Sequence, residues 1–156
     1  MAQQAIAYGS VYVARIAMGA NPQQTLQALR EAEAYPGPSL IIAYSHCIAH
    51  GIDMEQGLQQ QKRAVDSGHW PLIRYNPLIR EAGGIPFTLD SLRPSLLLAD
   101  YRKHEGRFQS LARTNPEEAA RLLGLAQEVV YQRWAIYEDM ATRTAAAFNP
   151  DTRQSR

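Results

Sequence analysis

With 156 residues, 46% apolar and 20% charged, the chain fits one globular domain with a hydrophobic core of its own. A formal net charge of +1 carries no basic excess, which argues against a nucleic-acid or membrane partner. A lone cysteine excludes an internal disulfide, and no apolar run approaches the ~20 residues of a membrane span.

The first residues, "MAQQAIAYGSVYVAR", lack the basic and long apolar regions of a secretory signal, so a cytoplasmic location is expected. "SVYVARI" (10–16) is rich in β-branched and aromatic residues and reads as a strand. "NPQQTLQALREAEAY" then reads as a helix, with Asn21 as its cap, Pro22 in the first position and Gln24 placed as in a capping box. Leu26, Leu29 and Ala32 fall on one face of it. "YPGP" (35–38) stops the helix, and "SLIIAYS" (39–45) is a second strand. Its apolarity on both faces predicts a parallel sheet covered on both sides. Strand, helix and strand make a right-handed βαβ unit.

Residues 55–67 read as another helix, with Leu58, Lys62 and Val65 near one side and Gly68 as its stop. "HWPLIRYNP" (69–77) is a short third strand bounded by prolines. "LIREAGGIPFTLDSLRPS" is broken by glycine and proline and reads mostly as loop. Residues 95–114 read as helical despite Gly106. The strongest helix follows, capped by Asn115, opened by Pro116, with Glu117 and Glu118 at the positive end of its dipole. Leu123, Val130, Trp134, Tyr137 and Ala141 form its apolar stripe, suited to packing on the α/β layer. The fold class is thus α/β: a partial doubly wound parallel sheet over residues 1–94, C-terminal helices over 95–148 and a tail at 149–156.

Chemistry concentrates in "PSLIIAYSHCIAHG". Ligands bind beyond the carboxyl ends of parallel strands, and Cys47 falls two residues past the second strand. A buried, inert thiol is one reading. A nucleophile served by His46 or His50 is a second, although no triad spacing is visible. A zinc site would gain only Cys47 and His50, and an iron–sulfur cluster would need three thiolates from elsewhere. Spacing alone leaves these open. Asp53, Glu55 and Asp66 read as solvated surface carboxylates. Arg74 beside Tyr75 reads as an ion-pairing residue before an anion site. His69 and His104 have no recognisable partner, Trp70 and Trp134 read as packing residues, and no phosphate-cradling motif is present.

"YGSVYVARIAMGAN", "EAEAYPGPSLIIAYSHCIAHGI", "GHWPLIRYNP" and "PFTLDS", in this order, resemble the C-terminal part of pyruvate:ferredoxin (flavodoxin) oxidoreductase. A weaker likeness continues in "GRFQSL" and the final helix. The resemblance implies a piece of the thiamine-diphosphate-binding fold of a large enzyme. That enzyme converts pyruvate and coenzyme A to acetyl-CoA and carbon dioxide, using thiamine diphosphate with magnesium. Iron–sulfur clusters carry its electrons to ferredoxin or flavodoxin. By match to the family's C-I-x-H-G segment, Cys47 is implied as one ligand of the 4Fe–4S cluster nearest the thiamine, the other ligands lying outside this chain. The chain departs from the family pattern at Ala49, Ile85 and His69. The family's thiamine–magnesium motif and its pyruvate and coenzyme A segments are missing here. The chain is therefore expected to be a fragment or split piece, inactive alone, whose partners are the remaining parts of the oxidoreductase. The alternative is a non-catalytic relic or interaction module that binds no cofactor.

Overall fold

The computed structural model describes residues 1–143. A short helix α1 (Ala2–Ala7) leads into strand β1 (Tyr12–Ile16), which occupies the middle of the sheet with all five residues buried. Helix α2 (Pro22–Ala34) starts as expected: Asn21 Oδ1 accepts the Gln24 amide at 2.9 Å, and Pro22 takes the first position. Strand β2 (Ser39–Ala43) lies parallel to β1, pairing Tyr12 with Ser39 through Ile16 with Ala43. Two 3-10 turns (Ile48–His50 and Met54–Gln56) connect it to helix α3 (Gly57–Asp66). The chain closes with strand β3 (Ile73–Tyr75), helix α4 (Pro77–Glu81), strand β4 (Phe87–Leu89), and helices α5 (Leu98–Arg102), α6 (Gly106–Thr114) and α7 (Pro116–Thr142).

The α/β class and the C-terminal helices hold, but the sheet is mixed, in the order β2-β1-β3-β4. Only β1 and β2 are parallel; β3 runs antiparallel to β1, and β4 to β3. The reason lies in α3. A parallel third strand needs a crossover that returns the chain to the amino end of the sheet. Helix α3 instead stays beside the carboxyl end of β1, where the Gly19 amide donates to Gln61 Oε1 at 2.8 Å. The chain therefore enters β3 from that end and runs back. A second difference concerns β2. It is one of the two edge strands, and Leu40, Ile41 and Ile42 are only half-buried, not covered on both faces.

Helix α2 covers one face of the sheet, where Tyr12, Ala14 and Ile16 pack on Ala28. Helices α1 and α7 cover the other, where Val13, Ile73, Tyr75 and Phe87 meet Ala2 and Tyr137. The apolar stripe of α7 behaves as predicted, with Val130, Trp134 and Tyr137 buried. The stripe of α2 does not: Leu26 and Leu29 face outward, while Gln24, Thr25 and Ala28 face the sheet. Leu58 of α3 is likewise exposed, and Gln60, Gln61, Ala64 and Val65 form the buried side. Residues 78–95 hold α4 and β4 where loop was expected, and the 95–114 helix is two, divided at Glu105. The end of the final helical stretch and the 149–156 tail lie outside the described residues.

Candidate functional site

The parallel pair sets the site. Both β1 and β2 end at the same rim, and the Tyr44 amide still donates to Ile16 carbonyl oxygen at 2.9 Å, so the pairing persists one residue past β2. From there Ser45, His46 and Cys47 leave the sheet. Cys47 has extended backbone (φ −141°, ψ 137°) and caps the 3-10 turn Ile48–His50 without using its side chain. Cys47 is half-buried with a free thiol, and Ile48 beside it is 74% exposed. The sequence placed Cys47 on this rim, and the structure puts it there, half-buried and outside the buried core.

Three anchors hold the loop. Gln61 is buried; its Oε1 accepts from Gly19, so its Nε2 is the donor to His46 Nδ1 at 3.1 Å. His46 Nδ1 is thereby assigned as an acceptor, which puts the ring N–H on Nε2. The same imidazole lies on Gly57, where an added Cβ would come within 2.3 Å of Nε2. At the far end Gly51 sits in the left-handed region (φ 68°) and meets Gly106; a Cβ on Gly51 would approach Gly106 Cα to 2.9 Å. The Gly106 amide donates to Gly51 carbonyl oxygen at 3.1 Å, tying the loop to α6.

Behind the loop lies a buried polar cluster. Tyr44 Oη is 2.8 Å from Tyr101 Oη and donates to Glu105 Oε1 at 3.2 Å; its ring meets Trp70 edge-on at 5.4 Å. Gln60 Nε2 donates to Glu105 Oε1 at 3.2 Å and Arg107 Nε to Glu105 Oε2 at 2.5 Å. Burial alone would raise the Glu105 pKa, but the neighbouring Tyr101 hydroxyl, the Gln60 amide and the Arg107 charge outweigh it and hold it below the usual carboxylate range. Burial pushes the Tyr44 and Tyr101 hydroxyls up. His69, expected to lack a partner, stacks on Tyr101 at 4.7 Å; burial and the nearby Arg133 guanidinium push its pKa down to about 4.

The other candidates disperse. Asp53 Oδ1 accepts the Glu55 amide at 3.0 Å, and Asp66 pairs with Lys62 at 2.7 Å on the surface. Arg74 is an ion-pairing residue, bidentate to Asp90 at 2.9 and 2.8 Å and also bonded to Glu31. His104 is exposed. Among the described residues no histidine hydrogen-bonds Cys47 Sγ, and no group of three His, Cys, Asp or Glu side chains is placed to hold a metal ion. The nucleophile and zinc readings therefore have no assembled site within this span. What sequence reasoning missed are the supports: Gln61, Gly57 and Gly106. Their only signal was local, a glycine at the start of α3 and a glycine inside an apparently continuous helix.

No family model matches the chain. Among curated proteins, it is 52% identical over 139 residues to a pyruvate-flavodoxin oxidoreductase of Trichormus variabilis, covering 89% of this chain and 12% of that protein. It is 51% identical over 142 residues to a pyruvate-flavodoxin oxidoreductase of Rhodospirillum rubrum (90% and 12%). Over 137 residues it is 45% identical to a pyruvate:ferredoxin oxidoreductase of Moorella thermoacetica (88% and 12%). The chain spans about 12% of the length of these relatives. No helix among the described residues is long and apolar enough to cross a membrane.

Proposed function

We propose that this chain forms one part of a pyruvate:ferredoxin (flavodoxin) oxidoreductase, completes its thiamine-binding domain, and donates Cys47 to a 4Fe–4S cluster shared with other polypeptide. The observation that carries the reading is the pairing of two facts: relatives of that name match nine-tenths of the chain, and its one cysteine stands half-buried at the rim of the parallel strands. The donor set fits a shared ligand. A half-buried cysteine whose thiol has no protein hydrogen bond among the described residues is available to a thiolate-binding group, and one thiolate of the usual four is all that this chain can offer. When bound, such a cluster supplies one-electron transfer. The chain's own contribution is positional. Gln61 and Gly57 fix His46, Gly51 and Gly106 fix the far end, and Cys47 is held between them. Thiamine diphosphate and magnesium belong, in this reading, to the complete enzyme, as does the exchange with ferredoxin or flavodoxin.

The surface supports assembly with further polypeptide. Strand β2 is an unpaired edge among the described residues, and apolar side chains of the segments around the rim are exposed: Met18, Ile48, Met54 and Leu58. The test reunites the chain with the remaining parts of the oxidoreductase and measures iron, sulfide and the electron paramagnetic resonance of the reduced clusters. Cys47→Ala is expected to remove one cluster's signal and most ferredoxin or flavodoxin reduction, while leaving the melting temperature of the isolated chain unchanged. Intact cluster content with normal electron transfer in that variant would falsify the assignment.

A further inference from the structure

Arg15 is the one charged residue of β1 and is only 8% exposed. Its Nη1 donates to Tyr137 Oη at 3.3 Å, and its guanidinium carbon lies 3.9 Å from the centre of the Trp70 ring. Arg133 reaches the same region from α7. Its Nη2 donates to the carbonyl oxygens of Gly68 and His69 at 2.7 and 3.0 Å, and its buried Nε has no partner. Among the described residues neither guanidinium takes part in a salt bridge. This sets them apart from Arg74 and Arg107, which are paired with carboxylates.

An arginine cannot shed its charge, so a buried Arg15 and a half-buried Arg133 side by side without a counter-ion oppose folding through desolvation and mutual repulsion. Both are held by neutral partners: a phenol, an indole face and two peptide carbonyls. Such partners orient the cations but leave their charge standing. Both line one cavity of about 260 Å³, together with Tyr137, Trp70, Gln3 and Ile42, and none of the cavity's walls is acidic. That space holds a small anion and several waters at roughly 30 Å³ per water. Tyr137 Oη already accepts from Arg15, so its own proton remains to be donated.

We propose that this cavity is a binding site for a small oxyanion of the carboxylate or phosphate class, gripped by Arg15 and Arg133 with Tyr137 as the third polar contact. The fork geometry of guanidinium matches such oxyanions and not chloride. The site lies apart from Cys47, and the inference does not depend on the assignment of the thiol.

The melting temperature of the 156-residue chain is measured in sodium phosphate, sodium acetate and sodium chloride at equal ionic strength. One of the two oxyanions is expected to raise it by about 5–10 °C over chloride once it exceeds its dissociation constant a hundredfold, and the stronger of the two identifies the class. Arg133→Met is expected to abolish the difference. A second measurement needs no variant: in 15N-labelled protein, two arginine Nε–Hε resonances move on adding the oxyanion and stay still with chloride. Equal melting temperatures in all three salts, an oxyanion effect that survives Arg133→Met, or oxyanion addition with no arginine side-chain resonance moving, each overturns the proposal.

Discussion

Strands β1 and β2 are equal in length, parallel and paired residue for residue, yet they live in different surroundings. All five residues of β1 are buried, including an arginine; β2 is the more uniformly apolar strand, and its ends are exposed and its isoleucines half-covered. Apolarity and burial are thus inverted between neighbours. A strand that is apolar on both faces is built to be covered on both faces, and this chain covers β2 incompletely. The cysteine follows β2 and not β1. The surplus apolar surface and the candidate site therefore lie on the same side, where the reading of the chain as part of a larger assembly requires them.

The largest expected effect tests that contrast directly. Ile16 of β1 and Ile41 of β2 pack in the same cluster under α2. Ile16→Ala removes buried methyl groups and leaves a cavity, at a cost of about 2–5 kcal/mol in the isolated chain. Ile41→Ala loses fewer contacts and is expected to cost about 1 kcal/mol. Urea denaturation of both variants measures the difference. Equal losses would mean that β2 is as fully packed as β1 in solution, and that its edge is covered by something, a second copy included.

The second effect belongs to the interior alone. His69 has a folded-state pKa of about 4, below the ~6.5 of an unfolded histidine. The unfolded chain therefore takes up a proton that the folded chain refuses. The stability linked to His69 is fully present above pH ~6.5 and falls as the pH drops towards 4, by up to about 3 kcal/mol. His69→Phe is expected to flatten the stability profile across that window. The Glu105 carboxyl, held below its usual range, gives a loss only as the pH falls further through its folded value, so the two windows separate. Denaturation midpoints at pH 7, 5.5 and 4 for the protein and the variant check this; an unchanged slope would show that His69 is hydrated and titrates normally.

Much of this interior was legible in the sequence, because its signals are local. Asn21-Pro22 and Asn115-Pro116 cap the helices they announce, Gly68 ends α3 with φ 68°, and Val130, Trp134 and Tyr137 repeat at the helical period. What was hidden depends on contacts between distant segments. The direction of β3 follows from where α3 rests, which no residue within 69–77 encodes. The inward face of α2 is chosen by close packing of Ala28 on β1 and by Gln24, whose Nε2 donates to Asp90 Oδ2 at 2.9 Å and to Arg15 carbonyl oxygen at 3.3 Å. A glutamine inside and leucines outside contradict the simple pattern. At the site, the rim position of Cys47 followed from the βαβ reading, whereas its supports did not. Helix α4 and strand β4 were masked by the glycines and prolines that flank them.

The third prediction moves to the rim. Gly57→Ala places a methyl group within 2.3 Å of His46 Nε2, and the imidazole must leave. Losing the part-buried Gln61–His46 bond costs about 1 kcal/mol. Cys47 lies next in the chain, so its alkylation by iodoacetamide is expected to accelerate several-fold. A destabilised variant with unchanged thiol reactivity would show that His46 does not hold the loop.

The smallest effect lies on the outside of α2. Leu26 and Leu29 are 49% and 48% exposed, so replacing each by glutamine removes little buried area. Surface substitutions away from special features stay within about 0.5 kcal/mol, and glutamine is a good helix former. The double variant should therefore melt within about 2–4 °C of the parent. A near-null result carries information here because the same two leucines, read from periodicity alone, belong to the core. If they were core residues, the pair would cost several kcal/mol and the chain would unfold at moderate temperature. A small change in melting temperature, with no change in the sedimentation coefficient, would place the apolar face of α2 in solvent and leave β2 as the edge where further polypeptide is to be sought. A large loss would mean instead that α2 is covered in solution, and the partner surface would then extend over the helix as well as the strand.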